Sequence, residues 1–144
     1  MSIKEDSAIK YRESKSDIST YIDRLKYALD SGDARIQLKQ DRFVDIGRNI
    51  KHTNRYTIAT LFPDEDPINV IRREFQSISI GEYIETVKDV NYPKRSDMRV
   101  FGRKYYAGDV YIKFRVEILP GVNLFVMSFH FSTISFERVE FPYI

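Results

Sequence analysis

The chain has 144 residues, 42% of them apolar and 14% aromatic, which suffices for one compact core and excludes two large domains. With no cysteine it holds no disulfide framework, no thiol nucleophile and no cysteine-built zinc or iron–sulfur site. A formal net charge of +2, from 23 basic and 21 acidic residues, neither requires nor forbids an anionic partner.

The N-terminus mixes charges and lacks the apolar run of a signal peptide. The longest near-apolar stretch, Val122 to Phe131, is broken by Asn123, Ser128 and His130 and falls short of the roughly 20 residues of a membrane span. The expectation is a cytoplasmic protein with no membrane partner. Residues 1 to about 15 are polar with isolated apolar residues and read as a flexible arm that folding does not need. Residues 16–144 read as one α+β domain.

Ser16-Asp17 offers an N-cap, and Ile18, Tyr21, Ile22, Leu25, Ala28 and Leu29 follow at helical spacing until Ser31-Gly32. Ala34 to Leu38 and Phe43 to Ile46 read as short strands, or as a strand followed by a turn. Tyr56 to Phe62 leans to helix because Thr53-Asn54 can cap it, although its β-branched residues also suit a strand. Pro67 at a first helical position, behind three carboxylates, starts a helix to about Gln76 with Val70, Ile71 and Phe75 inward. Ser79-Ile-Gly-Glu82 has capping-box spacing and predicts a short helix over 80–87, with Lys88 to Asp97 a loop.

Three strands follow: Met98 to Tyr105, Asp109 to Ile118 and Val122 to Phe131, joined by hairpin-type connections. In the second, Val110, Ile112, Phe114, Val116 and Ile118 alternate with Tyr111, Lys113, Arg115 and Glu117, which gives one core face and one polar face. The third alternates less cleanly and reads as an interior strand. Pairing about Pro120 and Gly121 sets Tyr111 opposite His130.

Two histidines exclude a zinc site built from three, and P-loop, dinucleotide-binding and serine-hydrolase motifs are absent, so no metal or cofactor is expected. From Lys94 to Arg115 seven basic residues stand against two acidic ones. Metal-free RNA cleavage needs a group to take the 2′-hydroxyl proton, cations for the phosphate and an acid for the departing oxygen. Tyr111, Lys113 and His130 can fill those roles. Cations on an exposed strand face are nonetheless more often solvated surface, and a histidine between two phenylalanines is more often packing.

The segments Arg99-Val-Phe-Gly-Arg-Lys104, Gly108-Asp-Val-Tyr-Ile-Lys-Phe114 and Met127-Ser-Phe-His130, closing in Phe141-Pro-Tyr143, resemble the MqsR-type toxins of bacterial toxin–antitoxin systems. The resemblance covers roughly Thr53 to His130. It implies a RelE-like α+β fold, N-terminal helices on a C-terminal antiparallel sheet, and an mRNA endonuclease of the RelE-like or ribosome-independent kind. Its partners would be mRNA and a cognate antitoxin protein. Tyr111, His130 and Lys113 fall on the family's catalytic strands. Tyr83, Lys94, Arg95, Arg99, Arg103, Lys104 and Arg115 are the expected RNA contacts. The sequence departs from the family's pattern at Ile84, where a lysine is usual, and near Met98, where a glutamine is. Two alternatives stand beside this reading. One is a non-catalytic phage or mobile-element inhibitor binding a nucleic-acid-handling enzyme through aromatics such as Tyr105, Tyr106 and Phe141. The other is a regulatory RNA-binding domain.

Overall fold

The computed structural model describes residues 8–39, 50–117 and 121–144. The run Phe43 to Ile46 and the residues Ile118 to Pro120 lie outside the described residues. The nine regular elements described are β1 (Ala8–Tyr11), α1 (Lys15–Ser31), β2 (Arg35–Leu38), α2 (Asn54–Leu61), α3 (Pro67–Gln76), β3 (Tyr83–Asp89), β4 (Met98–Tyr105), β5 (Gly108–Glu117) and β6 (Asn123–Phe131). They form an α+β fold with one mixed sheet in the order β1-β3-β4-β5-β6-β2. Every pairing is antiparallel except β2 with β6, so the expected all-antiparallel sheet is corrected at that edge.

Ser14, not Ser16, caps α1 by accepting from the Asp17 amide, and Gly32 ends the helix in the left-handed region at φ 77°. The apolar stripe Ile18, Ile22, Leu25 and Leu29 meets Ile71, Phe75, Ile112, Phe114 and Phe129 in the core. Thr53 caps α2 and Asp66 caps α3, whose Val70, Ile71 and Phe75 are buried as their spacing predicts. Among the described residues no helix is long and apolar enough to cross a membrane.

Residues 80–87 depart from the predicted helix. The amide of Ser79 does donate to Glu82 Oε1 at 3.0 Å, but only a 3₁₀ turn over Ile80–Glu82 follows before the chain extends into β3. Two neighbours, β1 and β4, offer ladder partners to this Thr- and Val-bearing segment, and tertiary pairing overrides the capping signal. The same pairing corrects the arm over residues 8–15. Ala8–Tyr11 forms an edge strand, the Tyr11 hydroxyl donates to Asp97, and Glu13 is clamped by Arg99. Residues 1–7 lie outside the described range.

Beyond the end of β2, side chains take over the edge of β6. Asn54 donates to the carbonyls of Lys39 and Met127, the latter at 3.0 Å, and its Oδ1 accepts from the Phe129 amide at 2.8 Å. Thr57 Oγ1 accepts from the Phe131 amide at 2.8 Å. These buried polar side chains of α2 stand in for a missing strand and satisfy a ladder that would otherwise end open. Asn54→Ala is therefore expected to cost about 3 kcal/mol, because the Phe129 amide is left without an acceptor. A lowered urea midpoint at unchanged slope is the readout. A loss below about 1 kcal/mol would show that solvent reaches this edge.

Candidate functional site

The sheet's two faces differ in kind. Even-numbered residues of β5, namely Val110, Ile112 and Phe114, are buried under the helices. Tyr111, Lys113 and Arg115 are partly exposed on the face turned away from them. Tyr111 pairs with His130 and Lys113 with Ser128, so four polar side chains form two adjoining cross-strand pairs. The Tyr111 and His130 rings are stacked, with centroids 5.5 Å apart and planes 24° apart. His130 is only 6% exposed and Ser128 1%, so both are buried beside the partly exposed Tyr111 and Lys113.

Tyr111 does pair with His130, but not through the expected register about Pro120 and Gly121: Glu117 pairs with Asn123, one residue off that register, and a bulge in β6 makes up the difference. Val116 pairs with Leu124 and Phe114 with Val126, after which Lys113 pairs with Ser128, leaving Met127 as the extra residue of a β-bulge. Leu124 and Val126 thus point into the core, while Ser128 and His130, also even-numbered, point to the opposite face. Without the bulge His130 would share the core side with Val126.

Not all the expected RNA contacts share this surface. Lys104 is exposed on the same face as Tyr111, beyond Gly102, and Arg115 lies on it too, stacked 4.7 Å over Phe125 and 2.8 Å from Glu117. Lys94 and Arg95 are exposed on the β3–β4 connection, with Arg95 4.2 Å over the Tyr92 ring. That connection leads into Met98, at the other end of the strands from the Tyr111–His130 pair.

Arg99, Arg103 and Tyr83 are corrected to the helix-bearing face. Arg99 pairs with Phe114 and Arg103 with Val110, both core positions. Arg99 binds both oxygens of Glu13 at 2.9 Å and lies 4.1 Å over the Tyr21 ring. Arg103 binds both oxygens of Glu82, at 2.7 and 2.9 Å, and the Glu74 carbonyl. Tyr83 is fully buried, and its hydroxyl accepts from the Glu13 amide and bonds Thr86. A groove of about 910 Å³ under α1, lined by Tyr21, Tyr27, Arg99 and Val116, also opens on this side. The carboxylate of Glu13 already neutralises its buried guanidinium.

The C-terminal segment forms one wall of the far face. Asp109 Oδ2 accepts from the Phe136 amide at 2.8 Å, and the Phe136 ring lies over Gly102, where an added Cβ would be 2.7 Å from it. Gly102 is the β4 partner of Tyr111, so the missing side chain makes room for a ring beside the tyrosine. Of the aromatics an inhibitor would use, Tyr106 is 87% exposed. Tyr105 donates to Glu74 and packs on Phe129, and Phe141 packs on Phe136.

His52 is the site residue that sequence reasoning missed. Its Nδ1 lies 2.8 Å from the Phe131 carbonyl, next to His130. No spacing signal could link it to His130, because the contact exists only through the docking of α2 on β6. Among the described residues no three His, Cys, Asp or Glu side chains converge as a metal site. No family model, curated relative or solved structure matches the chain.

Proposed function

We propose that the chain is an endoribonuclease toxin that cleaves single-stranded mRNA without a metal and is held inactive by a cognate antitoxin protein. The observation that carries this reading is the block of Tyr111 and His130 beside Lys113 and Ser128, outside the helix-covered core. The resemblance of Val110 to Lys113 and of Ser128 to His130 to the MqsR-type toxins supports it.

In this mechanism the RNA supplies its own nucleophile. His130 takes the 2′-hydroxyl proton, and the 2′ oxygen attacks phosphorus. Lys113, with Lys104 further along the face, offsets the charge of the crowded phosphate. The Tyr111 hydroxyl is the proton donor for the departing 5′ oxygen. As the bond from phosphorus to the 5′ oxygen breaks, that oxygen takes the Tyr111 hydroxyl proton, leaving a 2′,3′-cyclic phosphate and a 5′-hydroxyl, and exchange with water restores Tyr111 and His130.

Incubation of purified protein with single-stranded RNA in excess EDTA tests the reading. Fragments with cyclic-phosphate ends are expected. Intact RNA at every concentration of folded protein would remove the proposal. Salt-dependent binding without cleavage would then favour the RNA-binding alternative, and absence of binding the inhibitor.

A further inference from the structure

The groove under α1 lies on the helix-bearing face, and the endoribonuclease reading makes no use of it. Its volume of about 910 Å³ is that of a small-ligand site. Thr20, Arg24, Tyr27 and Ser31 recur every three or four residues and line it along about 16 Å of α1, while the sheet contributes Val116 and Val122.

The groove arises where β5 outruns β4. Arg99 pairs with Phe114, so Val116 lies past the first residue of β4, Met98, and has no strand partner on that side. Its amide donates instead to the Tyr21 hydroxyl oxygen at 2.7 Å, and its carbonyl accepts from Ser96 Oγ at 3.4 Å. Burial raises the Tyr21 pKa above the ordinary 10.0, so the phenol keeps its hydrogen, and among the described residues nothing accepts it. Tyr27 is 78% exposed, and among the described residues neither its side chain nor that of Arg24 has a hydrogen bond, ion pair or ring contact. Glu13 meets the charge of Arg99, which leaves Arg24 as the unpaired cation of this lining. Ser96 follows Lys94 and Arg95, both exposed, and Asp23 and Asp33 also line the groove.

This set of groups discriminates between ligands. A fatty acid needs apolar walls and one cation, and its carboxylate would meet Asp23 and Asp33 as like charges. A nucleobase offers a flat face to Tyr27 and an edge that carries both acceptors, for the Tyr21 hydroxyl, and N–H donors, for the two aspartates. We propose that the groove binds a nucleoside monophosphate, with its base on Tyr27 and Tyr21 and its phosphate on Arg24. Lys94 and Arg95 add to the positive field at the phosphate. The proposal goes beyond the endoribonuclease reading and does not depend on it. The occupant is the free nucleotide and not a strand of RNA, because Lys104 and Lys113 stand on the opposite face of the sheet.

Titration of the full chain, without RNA, with each of the four nucleoside 5′-monophosphates tests this by amide NMR. At least one is expected to saturate, with shifts gathered on residues 20–31, Ser96 and Val116. The matching nucleoside should bind about tenfold less tightly, and Arg24→Ala should weaken the monophosphate by that factor while leaving the nucleoside unchanged. Tyr27→Ala should lower affinity about 10–100-fold with the thermal unfolding curve retained, and Tyr27→Phe should bind as the wild type does, because stacking needs only the ring. Failure of all four monophosphates to saturate, shifts gathered around Tyr111 and Lys113 instead, or undiminished binding by Tyr27→Ala would overturn the proposal. Tighter binding of a single-stranded trinucleotide than of its component monophosphates would overturn it too, in favour of an RNA strand. Cleavage is read on RNA and binding without it, so the two proposals fail separately.

Discussion

Tyr111→Phe is expected to lower RNA cleavage by about 10²–10⁴-fold while the melting temperature stays close to that of the wild type. The substitution keeps the ring that stacks 5.5 Å from His130 and removes only the hydroxyl, so packing is preserved and chemistry is lost. His130→Asn is the matched probe, since it retains a donor for the Phe131 carbonyl and deletes Nε2. Initial rates on a single-stranded RNA, with thermal unfolding recorded on the same samples, provide the measurement. Wild-type cleavage by Tyr111→Phe, together with a His130 variant that is only less stable, would mean that the pair is packing and not a site.

Arg99→Ala should cost about 3 kcal/mol of folding stability. The side chains of Arg99 and Glu13 are each 15% exposed, and removal of the guanidinium leaves a mostly buried carboxylate with the Thr86 hydroxyl as its remaining side-chain donor. Double substitution to Met at 99 and Leu at 13 should recover most of the loss, because two buried charges are then removed together. Equal loss in the single and double variants would show that stacking on Tyr21, not the ion pair, holds this corner. Burial pushes the Glu13 carboxyl up, but hydrogen bonds from Arg99 and Thr86 outweigh it and hold the group below the ordinary value of 4.5. With a lowered folded-state pKa, the pair's contribution is complete above that ordinary value. It is lost as pH falls through the lowered one. Glu13→Gln should flatten this acid limb of the stability profile.

Arg99 and Arg103 lie apart from Lys113 for one geometric reason. Arg99 and Arg103 look equivalent to Lys113 in a count of local charge, but the two-residue turn at Tyr106 and Ala107 pairs odd residues of β4 with even residues of β5. The expected strand bounds, Tyr105 and Asp109, left a three-residue connection that pairs odd with odd; the observed Tyr105–Gly108 pairing shifts the register by one and sends both arginines to the face opposite Lys113. Local charge was a poor guide because a guanidinium on the helix side finds Glu13 or Glu82 there instead of solvent. Tyr83, named through the resemblance, is a core residue between Phe101 and Tyr143.

The features legible in the residues alone are those that local physics controls. The α1 and α3 stripes, the cap at Thr53, the alternation of β5 and the hairpin order of β4, β5 and β6 all depend on neighbours a few residues apart. Contacts between distant segments set the rest. It made residues 8–11 an edge strand, because β3 needed a partner that lies far along the chain. It inserted the bulge at Met127 that turns His130 out of the core and onto the Tyr111 face. It brought His52 to the Phe131 carbonyl through α2, a contact that arises only when the helix docks on an open strand edge.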